Sequence, residues 1–322
     1  MAVAIERVLR QFWLPGITSI TGKQQRGLQA FLLDDRYRVY AFPTANFFEI
    51  TPLDSNEIKH AICHDLSRMA CAAFESVYAV QPPAGLEKSS GWGVIRSYYA
   101  AFFAIHAIVR IFGTTCTQLD VQHIQYISKV TSYTHAETVK HSGGLYCGKW
   151  DDVNGVLRFS KPTENTHEAT WKIFLDLLIE LRDSLLNGSS IGLVVDLQNT
   201  ALELDSLRKA LCENGFNLGN WLSNIRNRVN YRHDFDAWFP YGKPKNHYHS
   251  IWNGADERWL KSPMPIKTIP IHGRELEKMI ELSGAIVSLC RCFIEHISET
   301  CVKKESFVKY GPYSIIELLR NR

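Results

Sequence analysis

The residues best suited to chemistry lie in Trp221-Leu-Ser-Asn-Ile-Arg-Asn-Arg-Val-Asn-Tyr-Arg-His233. Leu218, Trp221, Leu222, Ile225 and Val229 recur at helical spacing and predict one buried stripe. Asn217 is the expected N-cap, a short polar side chain before the first apolar residue. The other face carries Arg226, Asn227, Arg228, Asn230, Arg232 and His233. At roughly 100° per residue, Arg226 and His233 lie two turns apart and point almost the same way, with Asn230 between them. Arg228 with His233 is the rival pairing, but residues five apart on a helix diverge by about 140°. A guanidinium and an imidazole aligned behind a packed face suit an anionic substrate, with Arg228 as a neighbouring phosphate ligand.

The elements that must hold this helix are also mostly helical. Residues 2–13 predict a short helix stopped by Pro15-Gly16. Alternation on either side of Asp34-Asp35 predicts a β-hairpin from Leu28–Leu33 and Arg36–Phe42, with a third strand at Asn46–Thr51. Asp54, with Glu57 three residues on, predicts a capped helix. Its stripe runs from Ile58 to Val77. Pro82-Pro83-Ala-Gly85 marks a boundary. Trp92–Phe112 is apolar nearly all round and belongs at the centre of a bundle. Further helices are expected at Leu119–Val130, from Thr166 to Leu185, at Leu193–Cys212 and at Arg274–Cys301. Thr131–Lys161, with Gly143-Gly144 and Asp151-Asp152, reads as irregular. So does the proline- and aromatic-rich segment 239–270. The Tyr310–Tyr313 tail and the Ile315–Leu319 segment are expected to dock back on the bundle. The chain is therefore read as mainly α, with an α+β extension over 1–90, a bundle over 91–305 and a tail over 306–322.

Composition narrows the function classes. In 322 residues, 45 % apolar and 21 % charged content predict an ordinary folded chain. A net charge of +3 is too small to argue for nucleic acid by itself, so any phosphate site must come from local clustering. No uncharged apolar run reaches the ~18 residues of a membrane span. Glu6, Arg7 and Arg10 interrupt any secretory pattern. The eight cysteines are scattered without a Cys-x-x-Cys pair, which points to thiols in a reducing cytosol.

Two motifs on separate helices carry a family resemblance. Ser97-Tyr98-Tyr99-Ala100-Ala101-Phe102 resembles the first-helix pattern of HEPN domains (higher eukaryotes and prokaryotes nucleotide-binding). Arg226-Asn227 followed by His233 resembles the HEPN Arg-x(4–6)-His signature, whose arginine is often followed by Asn. The resemblance spans roughly Trp92–Cys301. It implies a HEPN-like helical bundle and a metal-independent ribonuclease needing no cofactor, as in toxin–antitoxin and phage-defence proteins. The neutral imidazole of His233 would take the proton from an RNA 2′-OH. The 2′-oxygen would attack the adjacent phosphorus to leave a 2′,3′-cyclic phosphate. Arg226 would stabilise the phosphoryl charge, and Asn227 would hold His233 or the phosphate. Arg228, Asn230, Arg232 and Tyr98 are the expected substrate contacts. The family's habit of pairing two such helices implies a symmetric homodimer. The alternative it implies is a non-catalytic module that binds nucleotide or a partner protein, such as an antitoxin or a nucleotidyltransferase.

Other chemistries find less support. Ser97-Tyr98-Tyr99 reads first as core packing, with the hydroxyls finding partners, and His106 as a satisfied core histidine. His135, His141 and Cys147 lack a fourth ligand and zinc-like spacing. Lys243-Pro-Lys-Asn-His-Tyr-His249 interleaves bases with aromatics, which suits either single-stranded RNA or a solvated loop. Walker loops, nucleotide fingerprints, nucleophile elbows and His-Glu-x-x-His are all missing.

Overall fold

The computed structural model describes residues 4–40, 44–78, 89–135, 142–188, 190–238, 258–260 and 274–321. The Pro82–Gly85 boundary, His141, the Lys243–His249 run and most of the 239–270 segment lie outside the described residues.

The chain is mainly helical. Its first elements are α1 (Ile5–Leu9), extended by a 3₁₀ turn at Arg10–Phe12, and α2 (Leu28–Leu32). The expected first hairpin arm is therefore a helix. Leu28, Phe31 and Leu32 are buried at i, i+3 and i+4, a spacing that a five-residue apolar run shares with a strand. The Asp65 carboxylate fixes its start by accepting from the Leu28 N–H at 3.0 Å. Strands β1 (Tyr37–Arg38) and β2 (Phe47–Pro52) follow, then α3 (Ser55–Tyr78), whose entry Asp54 secures by accepting from the Asn56 N–H at 2.8 Å.

Next comes α4 (Gly91–Ile111), the expected central helix. It packs along α3 and is buried around nearly its whole circumference. By length and composition it could cross a membrane, yet 83 % of its most apolar window is buried inside the protein, as in a core helix. Strand β3 (Thr114–Leu119) and α5 (Val121–Thr131) follow; Asp120 and His123 form a capping box at the start of α5.

The region read as irregular holds two strands, β4 (Gly144–Asp151) and β5 (Val156–Ser160). Its turn signals bound the strands and do not describe the whole stretch. Asp151 accepts from the N–H groups of Val153 and Asn154, both at 3.1 Å, and Gly155 supplies the left-handed residue at φ +65°. The sheet is antiparallel throughout, in the order β1-β2-β5-β4-β3. Phe48, Tyr146 and Phe159 interlock on its inner face, with Phe48 and Phe159 stacked at 4.6 Å. Since β2 pairs with β5 and α3 packs on α4, the first ninety residues do not stand apart as an extension. They are built into the body.

Four long helices complete the body: α6 (Thr166–Leu186), α7 (Val194–Leu211), α8 (Trp221–Arg232) and α9 (Glu275–Thr300). α9 lies along α4, while α6 and α8 approach α4 from other sides. The tail docks as expected through a 3₁₀ turn at Phe307–Tyr310 and α10 (Pro312–Arg320), against α3 and α9. All eight cysteines are free thiols, and burial pushes those of Cys63 and Cys290 up.

The Ser90 and Gly91 N–H groups donate to the Ala237 carbonyl at 3.2 and 3.0 Å, so the chain leaving α8 is pinned to the start of α4. A Cβ on Gly91 would sit 2.6 Å from the Trp238 ring. Gly91→Ala is expected to cost about 1–3 kcal/mol by displacing Trp238, seen as a lower urea midpoint with unchanged slope. At the other end of the helix, burial and the neighbouring Arg110 charge push the His106 pKa from 6.5 down to about 3. Between those values the unfolded chain binds a proton that the folded chain does not. This share of stability is therefore complete above pH 6.5 and declines as the pH falls below it. Unfolding at pH 5 against pH 7.5 should reveal a loss of about 2 kcal/mol from this group, and His106→Gln should flatten that part of the slope.

Candidate functional site

α8 starts later than the sequence suggests. The expected cap Asn217 lies outside it: Asn220 occupies the N-cap position without a side-chain cap bond, and Gly219 turns the chain at φ +69°. Trp221, Leu222, Ile225 and Val229 form the expected buried stripe. The polar face then divides in a way that helical spacing alone does not indicate.

Arg228, the rival arginine and expected phosphate ligand, is tied up in the fold. Its Nε donates to Asp234 Oδ2 and its Nη1 to both Glu275 oxygens, each at 2.9 Å. Its guanidinium also lies over the Phe235 ring at 4.4 Å. With two carboxylates on it, the charge is neutralised within the chain and joins α8 to α9. Phosphate would have to compete with both.

Arg226 is the opposite case. Among the described residues it has no carboxylate partner. Its Nη2 donates to the Tyr99 hydroxyl at 2.6 Å and its Nη1 to Asn227 Oδ1 at 2.8 Å. The guanidinium lies 5.8, 5.4 and 5.6 Å from the rings of Tyr98, Tyr99 and Tyr231, a cage of electron-rich faces. Its Nε–H is buried without a partner, and each terminal nitrogen keeps one unspent donor. A permanent cation with spare donors and no counter-charge among the described residues has the chemistry to receive an anion.

His233 does not continue the Arg226 face. α8 ends at Arg232, and His233 is its left-handed C-cap at φ +54°, its N–H bonded to the Arg228 carbonyl. A φ of that sign turns the Cα–Cβ bond about the N–Cα axis by roughly 120° from where a helical residue would hold it. The i, i+7 alignment drawn from the sequence is thereby broken. The following turn places Phe235 and Asp236 at positive φ as well, a costly backbone for such residues. Arg228 on Asp234 and Phe235, together with the Trp238 Nε1–H donated to the Val229 carbonyl at 2.8 Å, hold it there. His233 is exposed, as are Tyr231 and Arg232, while Asn230 is half-buried on the Arg226 side of the helix. Asn227 serves Arg226 rather than His233.

Beneath Arg226 lies a hydrogen-bonded group built from α4 and α6. Tyr98, fully buried, is the core aromatic that its setting on α4 predicts, and its hydroxyl is shared. The Trp171 Nε1–H donates to it at 3.1 Å, and His167 Nδ1 lies 2.9 Å from it. Burial, first of all, pushes the Tyr98 pKa up to about 12, so the phenol keeps its proton. Burial and then the Arg226 charge hold the His167 pKa below its ordinary value, so this imidazole is neutral at pH 7. Asn165 caps α6 and sets His167 in its first turn, and Glu168 beside it is engaged by Asn220 at 3.3 Å. His167 is the site residue that sequence reading missed. It sits well over fifty positions from Arg226, and no spacing rule links two residues brought together only by helix packing.

A cleft lined by Lys23, Arg26, Arg36 and His60 carries paired arginines: Arg26 binds Asp34, and Arg36 binds Asp34 and Glu57. Among the described residues no group of His, Cys, Asp and Glu could hold a metal ion.

Removing the Tyr98 hydroxyl strands its partners. Tyr98→Phe leaves the Trp171 indole N–H and His167 Nδ1 without their hydrogen bonds, at about 1–3 kcal/mol for each buried group left unpaired. Tyr99→Phe should cost less, because Arg226 is half-exposed and keeps Asn227. Denaturant unfolding of the two variants side by side measures the difference. No protein-family model, no curated protein and no solved structure matches this chain.

Proposed function

We propose that this chain is a metal-independent endoribonuclease of the HEPN type, with Arg226 as the group that binds the scissile phosphate. The observation that carries the reading is the state of Arg226: charged, caged by tyrosines, without a carboxylate partner among the described residues, and with donors to spare. The neighbouring Arg228 is neutralised twice, so the arginine of the Arg226-Asn227…His233 pattern is the one left free for substrate. In the reaction, the His233 imidazole removes the 2′-OH proton, the 2′-oxygen bonds to phosphorus, and the P–O5′ bond breaks. The departing 5′-oxygen takes a proton from solvent. The products are a 2′,3′-cyclic phosphate and a 5′-hydroxyl. Arg226 stabilises the charge that builds on the non-bridging oxygens.

His233 points off the Arg226 line within one chain and is exposed at the helix end. The proposed site is therefore shared, with His233 of one copy meeting Arg226 of the other across a twofold dimer. The same observation favours one alternative, a HEPN-like module that binds a nucleic-acid or nucleotide phosphate and cuts nothing.

Incubating the purified protein with total RNA in EDTA separates the two. Cleavage leaving cyclic-phosphate ends is expected, with Arg226→Ala and His233→Ala each lowering the rate by about 100-fold or more. Mixing the two inactive variants should restore part of the activity if the site is shared. Cleavage by His233→Ala at the parent rate sinks the assignment of the base. RNA binding without cleavage by the parent protein leaves the binding module.

A further inference from the structure

Arg226 and His167 flank the same pair of tyrosines. The guanidinium lies 5.8 Å from the Tyr98 ring and 5.4 Å from the Tyr99 ring. The imidazole approaches the same rings at 5.9 and 6.3 Å, with Phe102 at 4.7 Å behind it. Neither side chain meets a carboxylate among the described residues.

The hydrogen bonds around Tyr98 fix the proton on this imidazole. An indole N–H can only donate, so Trp171 fills a lone pair of the Tyr98 oxygen. A buried phenol must also place its own proton, and of these two hydrogen-bond partners only His167 Nδ1 can accept. The phenol's own O–H is then left for His167 Nδ1 at 2.9 Å. A neutral imidazole whose Nδ1 accepts carries its single proton on Nε2. That N–H has no partner among the described residues.

We infer that His167 is the second ligand of the anion bound by Arg226, its Nε2–H donating to a phosphate oxygen. The inference rests on the reading of Arg226 as the phosphate-binding group and deepens it. One guanidinium charge and one neutral donor match a phosphodiester, which carries a single negative charge and two non-bridging oxygens. A doubly charged phosphomonoester would leave one charge unmet. Tyr98 and Trp171 are positioning residues here: they set the tautomer and never touch the substrate. The site is thus selective for the internal linkage of a nucleic-acid strand over a terminal phosphate.

Nitrogen-15 NMR of the imidazoles in the intact protein tests the tautomer and the ligand together, with dimethyl phosphate as the diester probe. His167 should appear with Nδ1 bare and Nε2 protonated, and its Nε2 signal should move as dimethyl phosphate is added. In Arg226→Gln the movement should be lost. A proton on Nδ1, or an Nε2 signal indifferent to dimethyl phosphate, overturns the proposal. Two variants extend the test to RNA. His167→Gln keeps an amide N–H near the Nε2 position, and His167→Asn keeps an acceptor for Tyr98 but presents no outward donor. His167→Asn should weaken binding of a 2′-O-methyl RNA strand by about 10- to 100-fold, and His167→Gln by much less. A merely structural histidine would give the reverse order. RNA cleavage unaffected in both variants sinks this inference and spares the ribonuclease. A dimethyl phosphate response in a protein that cuts no RNA does the opposite.

Discussion

The structure depends on one constraint: α4 is apolar nearly all round, so every side of it must be covered. An ordinary surface helix needs one partner, but a helix like Gly91–Ile111 needs a ring of them. That demand draws α3, α9, α6, α8 and β3 onto it. The chain leaving α8 is fastened to the first residues of α4 through the Ala237 carbonyl and the Trp238 ring, which lies against Gly91. The C-terminal end of α8 is thereby fixed in place by the core itself.

Polar groups on such a helix are tolerated only with partners, since a buried donor or acceptor left alone is costly. α4 shows how this is done. Arg110, almost wholly buried, donates to the His106 carbonyl at 2.7 Å and the Cys116 carbonyl at 3.0 Å. Tyr98 shares its hydroxyl with Trp171 and His167. Tyr99, one position on and less buried, turns its hydroxyl to Arg226. The tyrosine pair is therefore a hinge between core and site: one hydroxyl serves α6, the other α8. This is how burial of a hydrophobic helix comes to hold a cation at the surface.

The contrast between Arg226 and Arg228 shows what charge pairing does on a single helix. Both have the same side chain and start two positions apart. Arg228 meets Asp234 and Glu275, and its charge becomes a brace for a turn in which three residues adopt left-handed backbone. Among the described residues Arg226 meets hydroxyl, amide and ring faces and no carboxylate, and these orient the guanidinium without cancelling it. Orientation without neutralisation is what an anion site needs. The strained turn has its own consequence, carrying His233 out of line with Arg226 and into solvent.

Much of this was legible in the sequence. Apolar periodicity marked out α3, α4, α6, α7 and α9 because long helices bury long stripes, and the all-apolar run announced the central one. The strands β4 and β5 were missed because turn residues stood out more than the short alternations between them, and Leu28–Leu32 misled because five residues suit either period. Helical spacing put Arg226 on a polar face. The sequence by itself determined the helical composition, the identity of the core helix and the presence of clustered basic residues on α8, because each of these is a local pattern. Only the tertiary structure decided which arginine meets carboxylates and which does not, where the helix ends and turns His233 aside, and that His167 and Arg226 flank the same tyrosines. Those outcomes depend on Asp234, Glu275, Tyr99 and Tyr98 arriving from other parts of the chain, and contacts between distant residues leave no spacing to read.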